Sequence, residues 1–438
     1  MAADPRRASL IFVAFLAGLT AAAQSVPAAG APPAGAAATE APPPAPSAPA
    51  AAPTAGVSAP FLFAYDYHKG DKFRVLSEVS EDIYVNHVLA KSTEIMNRIA
   101  FEVADTAPDG SSGTLSGTFI TSERAKGETN YIVTERYDSK FTQSRLGVYS
   151  IDDAYFMPVV RDVPTFPDHP LSPGDTWTAP GEERHDFRQG FGIPQPYAIP
   201  FVACYRYEGP ETKDGRPVQR LTASYTIFYE PPVPSEYKEV YPVQISGFSD
   251  QVIWWDPAYV QPSSYQERFK IVLDLSDGST IEYRGTAKSA FVEATLMNRQ
   301  ALQAEVEKAV GNLRGVSVKA VPEGISISLE DIQFQADSAS LAPAELDKIA
   351  SIAELLKAHP DRDIIVAGHT ALAGTNEGRL ALSIARARAV ADRLVALGAR
   401  SPLHIQVEGY GAERPISDDS TPEGMARNRR VEIIIREN

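Results

Sequence analysis

Three Asp-Gly dipeptides constrain this chain more than any other local feature. Asp109-Gly110, Asp214-Gly215 and Asp277-Gly278 each lie between apolar stretches. Asp-Gly suits a turn between antiparallel strands because such turns ask for positive φ, which glycine adopts without a Cβ clash. The third dipeptide is the clearest: Phe269, Ile271, Leu273 and Leu275 alternate up to it, and Ile281 and Tyr283 resume the alternation beyond it. Residues 61–294 are therefore read as a β-rich antiparallel region of one or two sheet units. It holds Trp177, Trp254, Trp255 and every tyrosine except Tyr410. Eight prolines between Pro164 and Pro200 predict a long loop or crossing without regular structure.

From Thr295 the period changes from two to that of a helix. Leu302, Val306, Val310 and Leu313 predict a helix over 296–313; Ile325, Ile327 and Leu329 alternate as a strand. Leu346, Ile349, Ala353 and Leu356 lay a stripe on a second helix that stops at His359-Pro360. Ile364 to Ala367 reads as a buried strand, 375–397 as a long helix closed by Gly398, and Ile405/Val407 and Val431–Ile435 as two more strands. That order describes a small α/β sandwich over 295–438. The fold class expected is multidomain: a β-rich antiparallel middle followed by a C-terminal α/β sandwich.

The N-terminus is of another kind. Arg6 and Arg7 precede an apolar run, Leu10 to Leu19, and Ala21-Ala22-Ala23 offers small residues for cleavage. Residues 1–23 are therefore expected to be a secretory signal peptide. The apolar stretch is shorter than the ~20 residues of a membrane span. Residues 24–60 are almost entirely Ala, Pro, Gly, Ser and Thr, with Glu40 the only charge; too little apolar surface is present to offset ordering, and a disordered segment reaching roughly 100 Å is expected.

Composition narrows the function. Net charge is −15, which gives no electrostatic hold on a polyphosphate, so no nucleic-acid partner is expected. The lone Cys204 excludes an internal disulfide or a cysteine metal cluster and is read as a buried strand residue. The seven histidines are scattered without metal spacing, so neither metal nor cofactor is expected. Ser235 and Lys238 match Ser-x-x-Lys without its companion motifs. The charged run 182–186 is read as a solvated loop. No catalytic constellation is found, and an enzyme is not expected.

The C-terminal motifs point further. Ile332-Gln333-Phe334 with Ser338, Ala339 and Leu341, then Gly368-His369-Thr370, then Leu382 to Ala387 with Val390, Leu394 and Gly398, then Gly409-Tyr410-Gly411 with Pro415, then Asn428 to Glu432 run in order through the segment. Over residues 322–438 the chain resembles the OmpA-like (OmpA/MotB C-terminal) peptidoglycan-associated family. The resemblance implies a non-enzymatic module that grips the peptidoglycan stem peptide at the free end of diaminopimelate, which carries an ammonium and a carboxylate. An arginine fork suits that carboxylate, since a planar guanidinium gives two parallel charge-assisted bonds, and an aspartate suits the ammonium. Arg386 occupies the helix arginine position. The aspartate position is Ala371, the asparagine seven residues before the arginine is Arg379, and the Gly-Arg before the last motif is Gly424-Met425. The pocket expected comprises Thr370, Ala371, Arg379, Arg386, Asn428 and Arg430; Asn428 is also read as tying down backbone, and His369 as a turn hydrogen-bonder.

An ammonium that loses its carboxylate loses a bond of ~1.5–3 kcal/mol, roughly 10- to 150-fold in affinity. Lost wall binding, a different stem residue such as ornithine, or another carboxylate ligand all fit that change, although ornithine has no carboxylate for Arg386. For the β-rich middle, a soluble sheet module binding a partner protein or apolar ligand is preferred. A transmembrane barrel is disfavoured by the prolines and by an expected shortage of ~10-residue alternating strands. The overall expectation is an envelope protein of a double-membraned bacterium, periplasmic and associated with the outer membrane or cell wall. Its expected partners are the peptidoglycan stem peptide and envelope proteins.

Overall fold

The computed structural model describes residues 59–233, 240–293, 299–330, 332, 341–360 and 362–436. Residues 1–23, read above as a signal peptide, the Ala/Pro-rich segment up to residue 58, the Ser235/Lys238 pair and the motif residues 333–340 lie outside the described residues.

The chain is β-rich. Twelve strands precede the first long helix: β1 (Lys72–Val85), β2 (Val88–Thr106), β3 (Ser112–Ala125), β4 (Tyr131–Ser144), β5 (Tyr149–Ile151), β6 (Val160–Arg161), β7 (Thr176–His185), β8 (Tyr197–Lys213), β9 (Arg216–Tyr229), β10 (Pro242–Asp256), β11 (Gln261–Leu275) and β12 (Thr280–Glu293). Among themselves they pair antiparallel, and β1 lies between β12 and β2, so the order is β6-β7-β8-β9-β10-β11-β12-β1-β2-β3-β4-β5. Of the three Asp-Gly pairs, only Asp214-Gly215 forms a two-residue turn with both φ positive (52° and 78°). The other two sit in longer loops where the glycine alone needs positive φ.

Period-two alternation drives one face of this sheet inward. Tyr265, Phe269, Ile271, Leu273 and Leu275 of β11 are buried, while Gln266 and Arg268 between them are exposed. The 152–195 segment fills the inside: Met157, Val159, Val163, Phe166, Leu171, Phe187 and Phe191 join the same core. Phe63 packs between Phe166 (ring centroids 5.0 Å), Tyr207 (5.2 Å) and Trp255 (5.7 Å).

Four expectations are corrected here. The proline-rich stretch does carry regular structure, with Pro180 in β7 and Pro200 in β8. Neither position has to donate a second ladder bond, because β7 meets β6 only at Glu182 and Glu183, and β8 meets β9 only from Cys204 onward. The run 182–186 is no solvated loop: the alternation of β7 turns Glu183 and His185 inward, where His185 Nε2 and Glu183 Oε2 are 2.7 Å apart and Tyr225 donates to Glu183 Oε1 at 2.7 Å. Cys204 is exposed, because its neighbours Ala203 and Tyr205 hold the inward positions. Alternating strands are not in short supply, since β1 to β4 and β8 to β12 each run 14 to 19 residues. Their apolar face nevertheless points inward, the reverse of a lipid-facing barrel.

The C-terminal elements are α2 (Arg299–Val310; α1 is the single turn Arg188–Phe191), β13 (Val316–Val321), β14 (Gly324–Glu330), α3 (Pro343–Lys357), β15 (Ile364–Gly368), α4 (Asn376–Ala396), β16 (Ile405–Gly409), α5 (Pro422–Asn428) and β17 (Arg430–Arg436). The strands pair in the order β13-β14-β17-β15-β16, antiparallel except for β15 with β16. Leu302, Val306, Ile349, Ala353, Leu356, Val390 and Leu394 from the helices meet Ile327, Val366, Val407 and Ile433 in a core separate from the first. Strand β13 was not anticipated: its residues are half-buried or exposed, so edge position blurs the pattern that marks a strand.

Candidate functional site

Parallel strands β15 and β16 end side by side in glycines, and α4 crosses those ends closely. A Cβ on Gly368 would lie 2.0 Å from the Ser383 carbonyl oxygen, and one on Gly409 would lie 2.4 Å from Ile384 Cγ1. Only glycine lets the helix approach this far. The two chains leaving the strands are then tied together. Tyr410 N–H donates to Gly368 O (3.0 Å) and Thr370 N–H to Gly411 O (2.8 Å). Gly411 N–H donates to Ser383 Oγ (3.0 Å), whose own hydroxyl donates to Leu380 O (2.8 Å). The loop after β15, the loop after β16 and the first half of α4 thus form one locked corner.

Thr370, Ala371, Arg379 and Arg386 all belong to this corner. Ala371 is buried and followed by exposed Leu372. Thr370 is buried, and its hydroxyl has no hydrogen-bond partner among the described residues. The Arg379 guanidinium donates to Gly374 O and Asn376 Oδ1, closing its own helix-entry loop. Arg386 is half-buried; burial and the neighbouring Arg429 cation lower its pKa from the usual arginine value. Arg429 is the member that motif reading did not select. It stands between α5 and β17, half-buried beside buried Arg430.

The other two predicted residues serve the framework. Arg430 is buried, with Nε donating to Glu432 Oε1 (2.7 Å) and Nη2 to Arg414 O (3.0 Å). Buried Asn428 accepts from Ile416 N–H (2.8 Å) and Ser417 N–H (3.0 Å) and donates to Ser417 O (2.8 Å), fastening the loop before α5. The His369 ring stacks on Tyr410 (5.3 Å, 22°) instead of hydrogen-bonding within a turn. Burial, helped by the Arg430 and Arg414 cations, pushes its pKa down to about 3, so it is neutral at ordinary pH. Among the described residues, no group of three or more His, Cys, Asp or Glu is placed to hold a metal, and no helix is long and apolar enough to cross a membrane.

Chemically, the corner offers two adjacent guanidiniums, an unengaged hydroxyl and a methyl group. That set suits an anionic oxygen ligand with an apolar neighbour.

Known proteins bear on this corner. The sequence profile of the OmpA family matches residues 333–429. The peptidoglycan-binding protein ArfA of Mycobacterium tuberculosis is 43% identical over 104 residues, 24% of this chain and 32% of that protein. The peptidoglycan-associated lipoprotein of Legionella pneumophila is 40% identical over 101 residues, 23% of this chain and 57% of that protein. The chain therefore spans about a third of the length of the mycobacterial relatives it matches. Among solved structures, the peptidoglycan-associated lipoprotein of Burkholderia pseudomallei is 31% identical over 25% of this chain and 89% of that one, with a TM-score of 0.23. Residues 333–429 of this chain are an OmpA family domain.

Proposed function

We propose that this is a non-enzymatic protein of the cell envelope, located in the periplasm and associated with the outer membrane or cell wall. Its C-terminal α/β domain docks at peptidoglycan and so links or positions envelope components. In this reading residues 61–294 and 295–438 are two domains of one chain. The observation that carries it is the placement of Arg386 beside Arg429 at the locked corner of β15, β16 and α4. Two adjacent like charges favour an arriving carboxylate, and a stem peptide supplies one. Relatives named for peptidoglycan binding or association support the same assignment.

A second reading is favoured by Ala371 and Leu372. Where a diaminopimelate ammonium needs a carboxylate, this chain presents a methyl group and then an exposed leucine. The domain would then be an OmpA-like scaffold that has lost that ligand and engages a partner protein.

Co-sedimentation of the full-length chain with insoluble sacculi of diaminopimelate and ornithine type separates the two. Under the first reading the wild type pellets, and Arg386→Ala weakens binding roughly 10- to 150-fold, the loss of one charge-assisted contact. Failure to pellet with either wall, together with a gain on Ala371→Asp, would establish the second.

A further inference from the structure

The OmpA family domain does not stand free of the β-rich region. Residues Tyr131 and Ile132 at the start of β4 pair parallel with Gln406 and Val407 of β16, extending the C-terminal sheet by one strand. Ile132 packs against the C-terminal core. On the sheet face away from the helices, Ile365, Ala367 and Ile434 are buried, as are Asp363 and Gln406. A sheet covered by helices on one side only would leave that face wet; here it is covered by the outside of the first β-region strands.

Charges from both sides are interleaved at this contact. Asp363, just before β15, meets Arg74 of β1 (Nη2 to Oδ2, 2.6 Å), Arg98 of β2 (Nε to Oδ2, 3.7 Å) and His404 (Nδ1 to Oδ1, 2.8 Å). Arg98 Nη2 donates to Leu403 O. Half-buried Arg436 of β17 donates to Gln406 Oε1 at 3.2 Å. Further out, Arg136 of β4 meets Glu408 of β16 (3.3 Å), which accepts from the Tyr410 hydroxyl. Glu128 and Asn130, in the β3–β4 turn, hold Arg388 (2.9 Å) and Asp392 (2.5 Å) of α4.

We propose that the β-rich region is the built-in partner of the OmpA family domain, docked on its β16 edge and its helix-free face. Asp363 is the shared counter-ion of Arg74 and Arg98 that latches the two together. The energetic logic is that of a buried ion cluster: with the Arg74 and Arg98 guanidiniums on one carboxylate, neutralising the carboxylate leaves buried cations uncompensated. The outer pairs, at the β3–β4 turn and at Glu408, then set the orientation of α4 and Tyr410. None of this depends on what the corner at Arg386 binds.

The test uses the full chain in a Cys204→Ser background carrying Asn130→Cys and Asp392→Cys. A short bis-maleimide should join the two thiols within one molecule nearly completely, at a yield independent of protein concentration. Asp363→Asn should lower that yield several-fold while the near-ultraviolet circular dichroism of the tryptophans is retained. A pair of milder variants guards against misfolding: Glu128→Arg should slow the cross-link, and adding Arg388→Glu should restore it. A yield no higher than that of a cysteine pair placed on opposite outer faces would overturn the docking. Yields unmoved by both Asp363→Asn and Glu128→Arg would overturn the latch.

Discussion

Arg386, Arg429 and Arg430 divide their work by partner. Arg430 points into the fold and donates to Glu432 and the Arg414 carbonyl, whereas Arg386 is half-buried and feels the Arg429 cation. Asn428 is the residue on which the adjoining loop depends. Asn428→Ala would leave the amide N–H groups of exposed Ile416 and half-buried Ser417 without their acceptor, and is expected to cost about 1–3 kcal/mol in urea unfolding. Asn428→Asp keeps the acceptor but loses the donor to Ser417 O and buries a charge there, so it should not restore the wild-type stability. His369 illustrates a limit of motif reading: Gly-His-Thr marked the turn, but the ring's role against Tyr410 depends on a residue 41 positions later.

At the scale of elements, the site is made by helix α4 lying against two strand ends. Gly409→Ala would push a methyl group to within 2.9 Å of Ile384 N and closer still to Ile384 Cγ1. Part of that clash is with backbone, so the helix must shift. The expected cost is about 1–3 kcal/mol, read by thermal unfolding. A larger consequence is expected in ligand binding, since the shift moves Arg386 with the helix. Capping keeps α4 in register meanwhile: Thr375 Oγ1 accepts from Gly378 N–H (3.1 Å) at its start, and Gly398 with φ 68° ends it.

Among the described residues two large cores and several buried acids stand out. Desolvation raises the Glu267 and Glu81 pKa values from 4.5 to about 8, with Glu123 adding to the effect at Glu81 and Glu183 at Glu267. Between pH 4.5 and about 8 the native chain therefore holds protons that the unfolded chain has released. Stability should fall as pH rises through that window and level off above it. Thermal unfolding at pH 5 and pH 8 would reveal a higher midpoint at pH 5. Glu267→Gln should reduce the difference by its own share, leaving that of Glu81, because the amide keeps the acceptor for Ser249 without the ionisation. His369 acts in the opposite sense: its lowered pKa contributes stability that is lost as pH falls from about 6.5 toward 3.

Amino-acid order alone determined the features that local chemistry writes. Asp-Gly pairs marked the hairpins, the change of period at Thr295 marked where helices begin, and the ordered C-terminal motifs identified the OmpA family domain and brought Thr370, Ala371, Arg379 and Arg386 into view. Tertiary structure decided whatever depends on the neighbour across the chain. It admitted Pro180 and Pro200 to strands, because their free sides have no ladder to complete. It turned Cys204 outward and Glu183 and His185 inward, since alternation fixes the period of a strand but leaves open which parity faces the core. It also joined β4 to β16 and gathered Arg74, Arg98 and Asp363, residues up to 289 positions apart. Pairing over such a separation leaves no local pattern, because its energy comes from groups that meet only once both cores have formed.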